Sequence, residues 1–221
     1  KIASLKSYSK DHPGIFNVGD VMYDNAIHYS KLAKKEVDLK ELYGLESGEY
    51  VLCTIHRNQN TDDTEKLSQI IEALIVVASS PKIFLPLHPR TLKAISQNLP
   101  KSLYEDFTSN SHIIISPPVG FLEMISLEQN AQLVITDSGG VQKEAFFFSK
   151  PCVILREETE WTEIVESGMA ILTGSSKEKI IAAFTYFEQN SAPSSSIKQK
   201  NLYGQGNAAY EVLSIIKKHH Y

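Results

Sequence analysis

The chain of 221 residues has little cysteine, with two residues, little methionine, with three, and a single tryptophan. Cys53 and Cys152 each sit inside an apolar run, Tyr50-Val51-Leu52-Cys53 and Pro151-Cys152-Val153-Ile154-Leu155. That setting excludes a disulfide framework and predicts two buried strand residues in a reducing, cytoplasmic compartment. An excess of basic charge is also missing. Lys+Arg 22 against Asp+Glu 26 gives a net charge of −4, which disfavours nucleic acid as a partner. No apolar run approaches the roughly 18 residues of a membrane span, and Lys1-Ile2-Ala3-Ser4-Leu5-Lys6 lacks the apolar centre of a signal peptide, so no membrane is expected. The chain begins without Met, and the expectation is that it is the later part of a longer polypeptide. What remains, 42% hydrophobic and 22% charged residues, belongs to a globular protein of one or two domains with a real core.

Short apolar runs alternate with segments of helical period. The predicted strands are Ile15–Val18, Tyr50–Ile55, Lys82–Leu87, His112–Ser116, Gln132–Thr136, Pro151–Leu155 and Met169–Leu172. Several are apolar at successive positions, as in a parallel sheet covered on both faces. Helices are predicted near Val21–Lys35, Asp63–Ser79, Leu92–Asn98, Gly120–Gln129, Gly140–Phe148, Thr162–Ser167, Ser176–Asn190 and Gly206–His219. This order predicts an α/β fold, a Rossmann-like doubly wound parallel sheet whose ligand sits at the carboxyl ends of its strands. The polar stretch Asn190-Ser191-Ala192-Pro193-Ser194-Ser195-Ser196 reads as a surface linker into the last helix.

Four segments carry chemistry. Thr136-Asp137-Ser138-Gly139-Gly140-Val141 runs from a strand into a helix, and its glycines let an anion approach the N–H groups of the helix terminus. Glu144, further along that helix, suits a vicinal diol such as a ribose. An ordinary turn capped by Asp137 or Ser138 explains the same residues. Cys53-Thr54-Ile55-His56-Arg57-Asn58 ends a second strand. There Arg57 offers a bidentate fork and His56 a hydrogen bond or proton to a departing phosphate; a surface pair is the alternative. The following helix is read as capped by Thr61 or Asp62. Leu87-His88-Pro89-Arg90-Thr91 repeats the geometry, with His88 and Arg90 adding positive potential or only a proline-fixed turn. Arg156-Glu157-Glu158-Thr159-Glu160-Trp161 is an acidic loop whose tryptophan packs on a ligand, on another domain, or on neither. No metal site and no cofactor is expected.

Taken together these pieces resemble the C-terminal domain of the non-hydrolysing UDP-N-acetylglucosamine 2-epimerases. The matching residues are Gly19-Asp20-Val21-Met22-Tyr23-Asp24, Thr54-Ile55-His56-Arg57 with Asn60-Thr61, His88-Pro89-Arg90-Thr91, Thr136 to Gln142 with Glu144-Ala145, Lys150-Pro151, Arg156 with Thr159-Glu160, and Tyr203-Gly204 with Gly206. The resemblance implies the C-terminal half of a glycosyltransferase-B-type two-domain fold. Residues 1–20 would be an inter-domain segment and first strand, 21–190 the UDP-binding domain, and 191–221 a linker and helix packing on an N-terminal domain of the same polypeptide. It implies an isomerase that interconverts UDP-GlcNAc and UDP-ManNAc by eliminating UDP and adding it back. Rival readings are a UDP-sugar glycosyltransferase of the same fold and a non-catalytic UDP-sugar-binding domain.

By the same resemblance His56 is the catalytic, diphosphate-facing histidine. Arg57, Ser138, Gly139, Gly140 and Arg156 join the substrate site, Glu144 takes the ribose hydroxyls, the backbone near Met124 meets the uracil, and His88 belongs to a regulatory UDP-sugar site. UDP-GlcNAc or UDP is the implied ligand, and a homodimer is allowed. The carboxylates of C2 proton transfer belong to the family's N-terminal domain, so this chain alone is expected to be inactive. Gln59 and Lys143 stand where many members have glutamate, and Trp161 where one branch has arginine.

Overall fold

Six of the seven predicted strands form in a computed structural model of the chain, which describes residues 16–190 and 202–219. In chain order the elements are α1 (Val21–Glu36), α2 (Leu39–Tyr43), β1 (Tyr50–Thr54), α3 (Asn58–Thr61), α4 (Thr64–Val77), β2 (Lys82–Pro86), α5 (Pro89–Asn98) and α6 (Lys101–Ser109). They continue with β3 (Ile113–Ser116), α7 (Phe121–Asn130), β4 (Leu133–Thr136), α8 (Gly139–Phe147), β5 (Cys152–Ile154), α9 (Thr162–Glu166), β6 (Ala170–Leu172), α10 (Lys177–Gln189) and α11 (Ala208–His219). All strand pairs are parallel and the order is β3-β2-β1-β4-β5-β6. The chain winds outward from β1 in one direction, then returns to start again at β4 on its other side. Between β1 and β4 lies the switch point at which ligands bind in such sheets.

Two cores follow from the period of a strand. On β1, Val51 and Cys53 face a layer with Leu67, Ile70 and Leu74 of α4 and Phe184 of α10. Tyr50 and Leu52 face the other, with Leu127 of α7 and Phe146 of α8. Burial on both faces is why β1 reads as a continuous apolar run. Both cysteines are buried and free, Cys53 on β1 and Cys152 on β5. Among the described residues no helix is long and apolar enough to cross a membrane.

The expected first strand is not one. Phe16–Val18 are irregular and Ile15 lies outside the described residues. The chain turns here instead: Asn17 Oδ1 accepts the Gly19 N–H at 3.2 Å, and Gly19 turns at φ 88°. Asp20 then donates its N–H to the Tyr203 carbonyl at 3.0 Å while its carboxylate caps α1 at Met22 N. A Cβ on Gly19 would stand 2.9 Å from that carbonyl oxygen, so only glycine allows the two segments to cross. The predicted linker falls mostly in residues 191–201, outside the described residues. Beyond it α11 packs on α1, with Asp24 accepting the N–H groups of Ala208 and Ala209. Tyr210, Leu213 and Ile216 of α11 remain exposed.

One backbone position is strained by its residue type. Ser149 closes α8 at φ 56° in a Schellman turn, its N–H on Phe146 O and that of Lys150 on Ala145 O. Ser149→Gly removes the steric cost of the left-handed conformation and should raise stability by about 0.5–1 kcal/mol, a shift that thermal unfolding would resolve.

Candidate functional site

The ends of β1 and β4 are tied together before any ligand is considered. Thr54 and Thr136, partners in the ladder, share a hydrogen bond at 2.6 Å between their hydroxyls, and Thr136 Oγ1 accepts the Ser138 N–H at 2.9 Å. Next to them Asp137 is wholly buried. It does not cap α8. Instead its carboxylate reaches across the switch point to β1, accepting N–H from His56 at 3.1 Å, from Arg57 at 3.0 Å and from Asn60 Nδ2 at 3.1 Å. The imidazole of His56 adds a fourth donor, with Nδ1 3.1 Å from Asp137 Oδ1.

This arrangement sets the charges. Hydrogen bonding to Asp137 raises the His56 pKa above 6.5, against a smaller loss from burial. For Asp137 burial alone would raise the pKa, but the bonds from His56, Arg57 and Asn60 outweigh it and hold the carboxyl below its usual range. With Nδ1 occupied, Nε2 of a half-exposed imidazole is the edge left for a ligand.

Ser138 takes the N-cap position of α8 without a side-chain cap bond, so neither alternative of an Asp137 or Ser138 side-chain cap is realised. The first-turn N–H groups over Gly139 and Gly140 therefore stay open to an anion at the positive end of the helix. Behind Gly139 stands Trp161, whose Nε1–H donates to the Gly139 carbonyl at 3.0 Å and whose ring lies 4.2 Å under the Lys143 ammonium. Lys143 is itself buried and bonded to Asp20. The tryptophan thus braces the helix terminus from within.

Arg156 forms a bidentate pair with Glu160, both bonds 2.8 Å, which pulls the Glu160 pKa down to about 2 with a smaller push from Arg57. Arg156 Nη1 and Glu160 Oε2 each lie 3.8 Å from where a Cβ on Gly139 would stand, and Arg57 is placed by its backbone N–H on Asp137. His56, His88, Met124, Ser138, Pro118 and Val119 meet in a cleft of 240 Å³ at the carboxyl end of the sheet. His88 is on that same cleft, with its Nδ1 accepting the Arg90 N–H at 3.3 Å. Arg90 turns away, paired with Asp62 at 3.0 Å. Of the two readings of Arg90, that pairing favours the proline-fixed turn over a source of potential at the cleft. It also leaves the cap of α4 to Asp63, which accepts N–H from Glu65 and Lys66 at 3.1 Å, rather than to Thr61 or Asp62.

Glu144 is half-buried, with its Oε2 3.9 Å from where a Cβ on Gly140 would be, directly beside the open helix terminus. Three further residues complete the site, none of them given a site role from sequence. Asp137 was read only as a cap, Asn60 joins Asp137 to the Leu155 carbonyl at 3.1 Å, and Glu128 of α7 lies wholly buried next to Glu144. Among the described residues no group of three or more His, Cys, Asp or Glu side chains is disposed to hold a metal ion.

Comparison with known proteins gives these residues a context. A sequence model of the family described as UDP-N-acetylglucosamine 2-epimerase matches residues 3–217. A Methanococcus maripaludis protein named UDP-N-acetylglucosamine 2-epimerase homolog is 42% identical over 205 residues, covering 92% of this chain and 55% of its own. A Pseudomonas aeruginosa UDP-2,3-diacetamido-2,3-dideoxy-D-glucuronate 2-epimerase is 39% identical, with coverage of 92% and 53%. The crystal structure of Methanocaldococcus jannaschii UDP-GlcNAc 2-epimerase in complex with UDP-GlcNAc and UDP superposes with a TM-score of 0.80 at 34% identity, over 97% of this chain and 57% of that one. At the level of fold alone, an E. coli heptosyltransferase with ADP matches at TM-score 0.51 and 16% identity, over 86% and 54%, in keeping with half of a glycosyltransferase-B fold. The chain spans about half the length of the curated relatives it matches.

Proposed function

Because the chain belongs to the UDP-N-acetylglucosamine 2-epimerase family, we propose that it is the UDP-binding half of an enzyme that inverts C2 of a UDP-linked 2-acetamido sugar. The observation that carries this reading is the facing of two groups across the switch point: the uncapped N-terminus of α8 and a histidine held by Asp137. Both suit a diphosphate. The helix terminus supplies N–H donors and a positive dipole end, and a protonated His56 supplies a charge-assisted donor. Glu144, beside Gly140, suits the ribose diol, and the apolar side of the cleft at Val119 and Met124 suits the flat base.

In the proposed reaction a base removes the C2 proton while the C1–O bond breaks, its electron pair leaving with UDP and a C1=C2 double bond forming. UDP then adds back at C1 as a proton returns to the opposite face of C2. The part of this chain is to hold UDP through both steps and to offset the charge gained by its terminal phosphate, for which His56 and the α8 terminus are disposed. The proton-transfer carboxylates are assigned to an N-terminal domain of the whole protein. The P. aeruginosa relative favours a second reading of the sugar, a 2,3-diacetamido glucuronate in place of N-acetylglucosamine. Deuterium incorporation at C2 by the whole protein, with each UDP-sugar in turn, separates the two.

Calorimetric titration tests the site itself. UDP should bind measurably better than uridine, and His56→Ala should narrow that gap by about 1–2 kcal/mol while uridine binding holds. Equal weakening of both ligands would assign His56 to the fold and remove the diphosphate from this end of the sheet.

A further inference from the structure

The strongest unexplained group near the cleft is Glu128. It lies on α7 with 0% exposure, and among the described residues neither of its carboxyl oxygens has a hydrogen-bond donor. The polar group beside it is the carboxyl of Glu144 on α8. Two polar neighbours of the pair, Tyr50 and Lys143, are committed elsewhere. Tyr50 of β1 donates its O–H to the Leu127 carbonyl at 2.6 Å, and the Lys143 ammonium of α8 is bonded to Asp20. A buried carboxylate with no donor from the protein is costly, whereas the neutral acid can donate to a neighbouring carboxylate. Two carboxyls so placed keep one proton between them.

We propose that Glu128 is a positioning residue for nucleotide binding, which donates its carboxyl O–H to Glu144 and so holds the Glu144 carboxylate in the plane that receives both ribose hydroxyls. The proposal rests on the reading of Glu144 as the ribose acceptor. One lone pair of Glu144 is taken by the Glu128 proton. Its Oε2, toward Gly140 and the open end of α8, stays free for a ligand. The directions of the two acidities agree with this division. Burial, and after it the Glu144 charge, pushes Glu128 well above the usual carboxylate range. Burial also raises Glu144, with the bond from Glu128 and the Lys143 charge opposing it; Glu144 is the less buried of the two, so the negative charge is better placed on it. Glu128 never touches the ligand; it acts through Glu144.

The test compares UDP with 2′,3′-dideoxy-UDP by titration calorimetry, because the ratio of the two affinities isolates the diol and cancels the titration of His56 and of the phosphates. In the wild-type chain UDP should bind about tenfold better, and Glu144→Gln should remove most of that advantage. Glu128→Met, close in length but without a donor, should cut the advantage by about threefold or more while melting no lower than wild type, since it removes a buried polar group. Glu128→Gln keeps an N–H donor and should preserve the advantage at about pH 7. The loss in Glu128→Met against its rescue in Glu128→Gln is a contrast that packing alone cannot produce. An unchanged ratio in Glu128→Met, or an equal fall in both Glu128 variants, overturns the positioning role while the ribose site stands. Equal affinity of the wild-type chain for the two nucleotides overturns the ribose site and this proposal with it.

Discussion

Asp137→Ala is expected to destabilise the chain by about 3–5 kcal/mol, the scale of breaking a buried, charge-assisted network. The variant strands four donors at once: the N–H groups of His56 and Arg57, the Asn60 amide and the imidazole Nδ1–H. All belong to the turn leaving β1, so that turn should loosen first and UDP binding should be lost with it. The pH dependence separates this network from simple cavity formation. The folded pKa of His56 lies above 6.5, so its contribution is fully present below that value and fades as pH rises through the raised one. The folded pKa of Asp137 lies below 3.8, so its contribution is present above that value and is lost as pH falls through the depressed one. Wild type should therefore be most stable between the two, in the weakly acidic range, and Asp137→Ala should flatten that maximum. Denaturant unfolding across pH measures both effects. A loss below about 1 kcal/mol, the worth of a single ordinary hydrogen bond, would mean that the turn is held by something other than Asp137.

What could be read from the sequence follows from how far each signal reaches along the chain. The six strands were legible because a parallel sheet buries both faces, and runs such as Tyr50 to Cys53 then have no polar interruption. Helices of two or more turns with a buried stripe, such as α4 with Leu67, Ile70, Ile71 and Leu74, were legible for the matching reason. Three helices were not. With five and four residues, α2 and α3 are too short to display a period, and α6 buries only Phe107 fully. Of the expected strand at Ile15–Val18, the described residues run irregularly into a turn held by Tyr203, far along the chain, which no local pattern reports.

The site divides in the same way. Residues that meet a ligand through the backbone at strand ends, Ser138 and the two glycines, announce themselves by type and place. Residues that hold those in position do not. Asp137 was visible but assigned to the nearer task of capping, because its partners on the β1 turn are some 80 positions away. Glu128 left a faint trace, a carboxylate four positions after Met124 and three after Ile125 on the face of α7 that packs inward. The departures at Lys143 and Trp161 prove to be one feature, since the ammonium of the first lies over the indole of the second.

Gly140→Ala should act on fold and function in opposite directions. The Gly140 backbone is not in the left-handed region, and an added Cβ would find Ser138 Oγ, Glu144 Oε2 and Met22 Cε each at 3.9 Å, ordinary contact distances. Nothing in the fold therefore demands glycine here. Alanine in the first turn of a helix lowers the entropy of the unfolded chain, and stability should rise by about 0.5–1 kcal/mol. The same methyl group occupies the space between the hydroxyl of Ser138 and the carboxylate of Glu144, where a nucleotide bound as proposed would pass from diphosphate to ribose. It would keep the phosphate from the N–H groups of α8 and lengthen the hydrogen bonds on both sides. UDP affinity should fall by about 2–3 kcal/mol, roughly 100-fold, the sum of one or two charge-assisted bonds. Thermal unfolding and UDP titration on the same preparation give the two signs together. A stabilised variant that binds UDP as before would show that the diphosphate does not lie against Gly140, and that the glycine serves neither the fold nor the site.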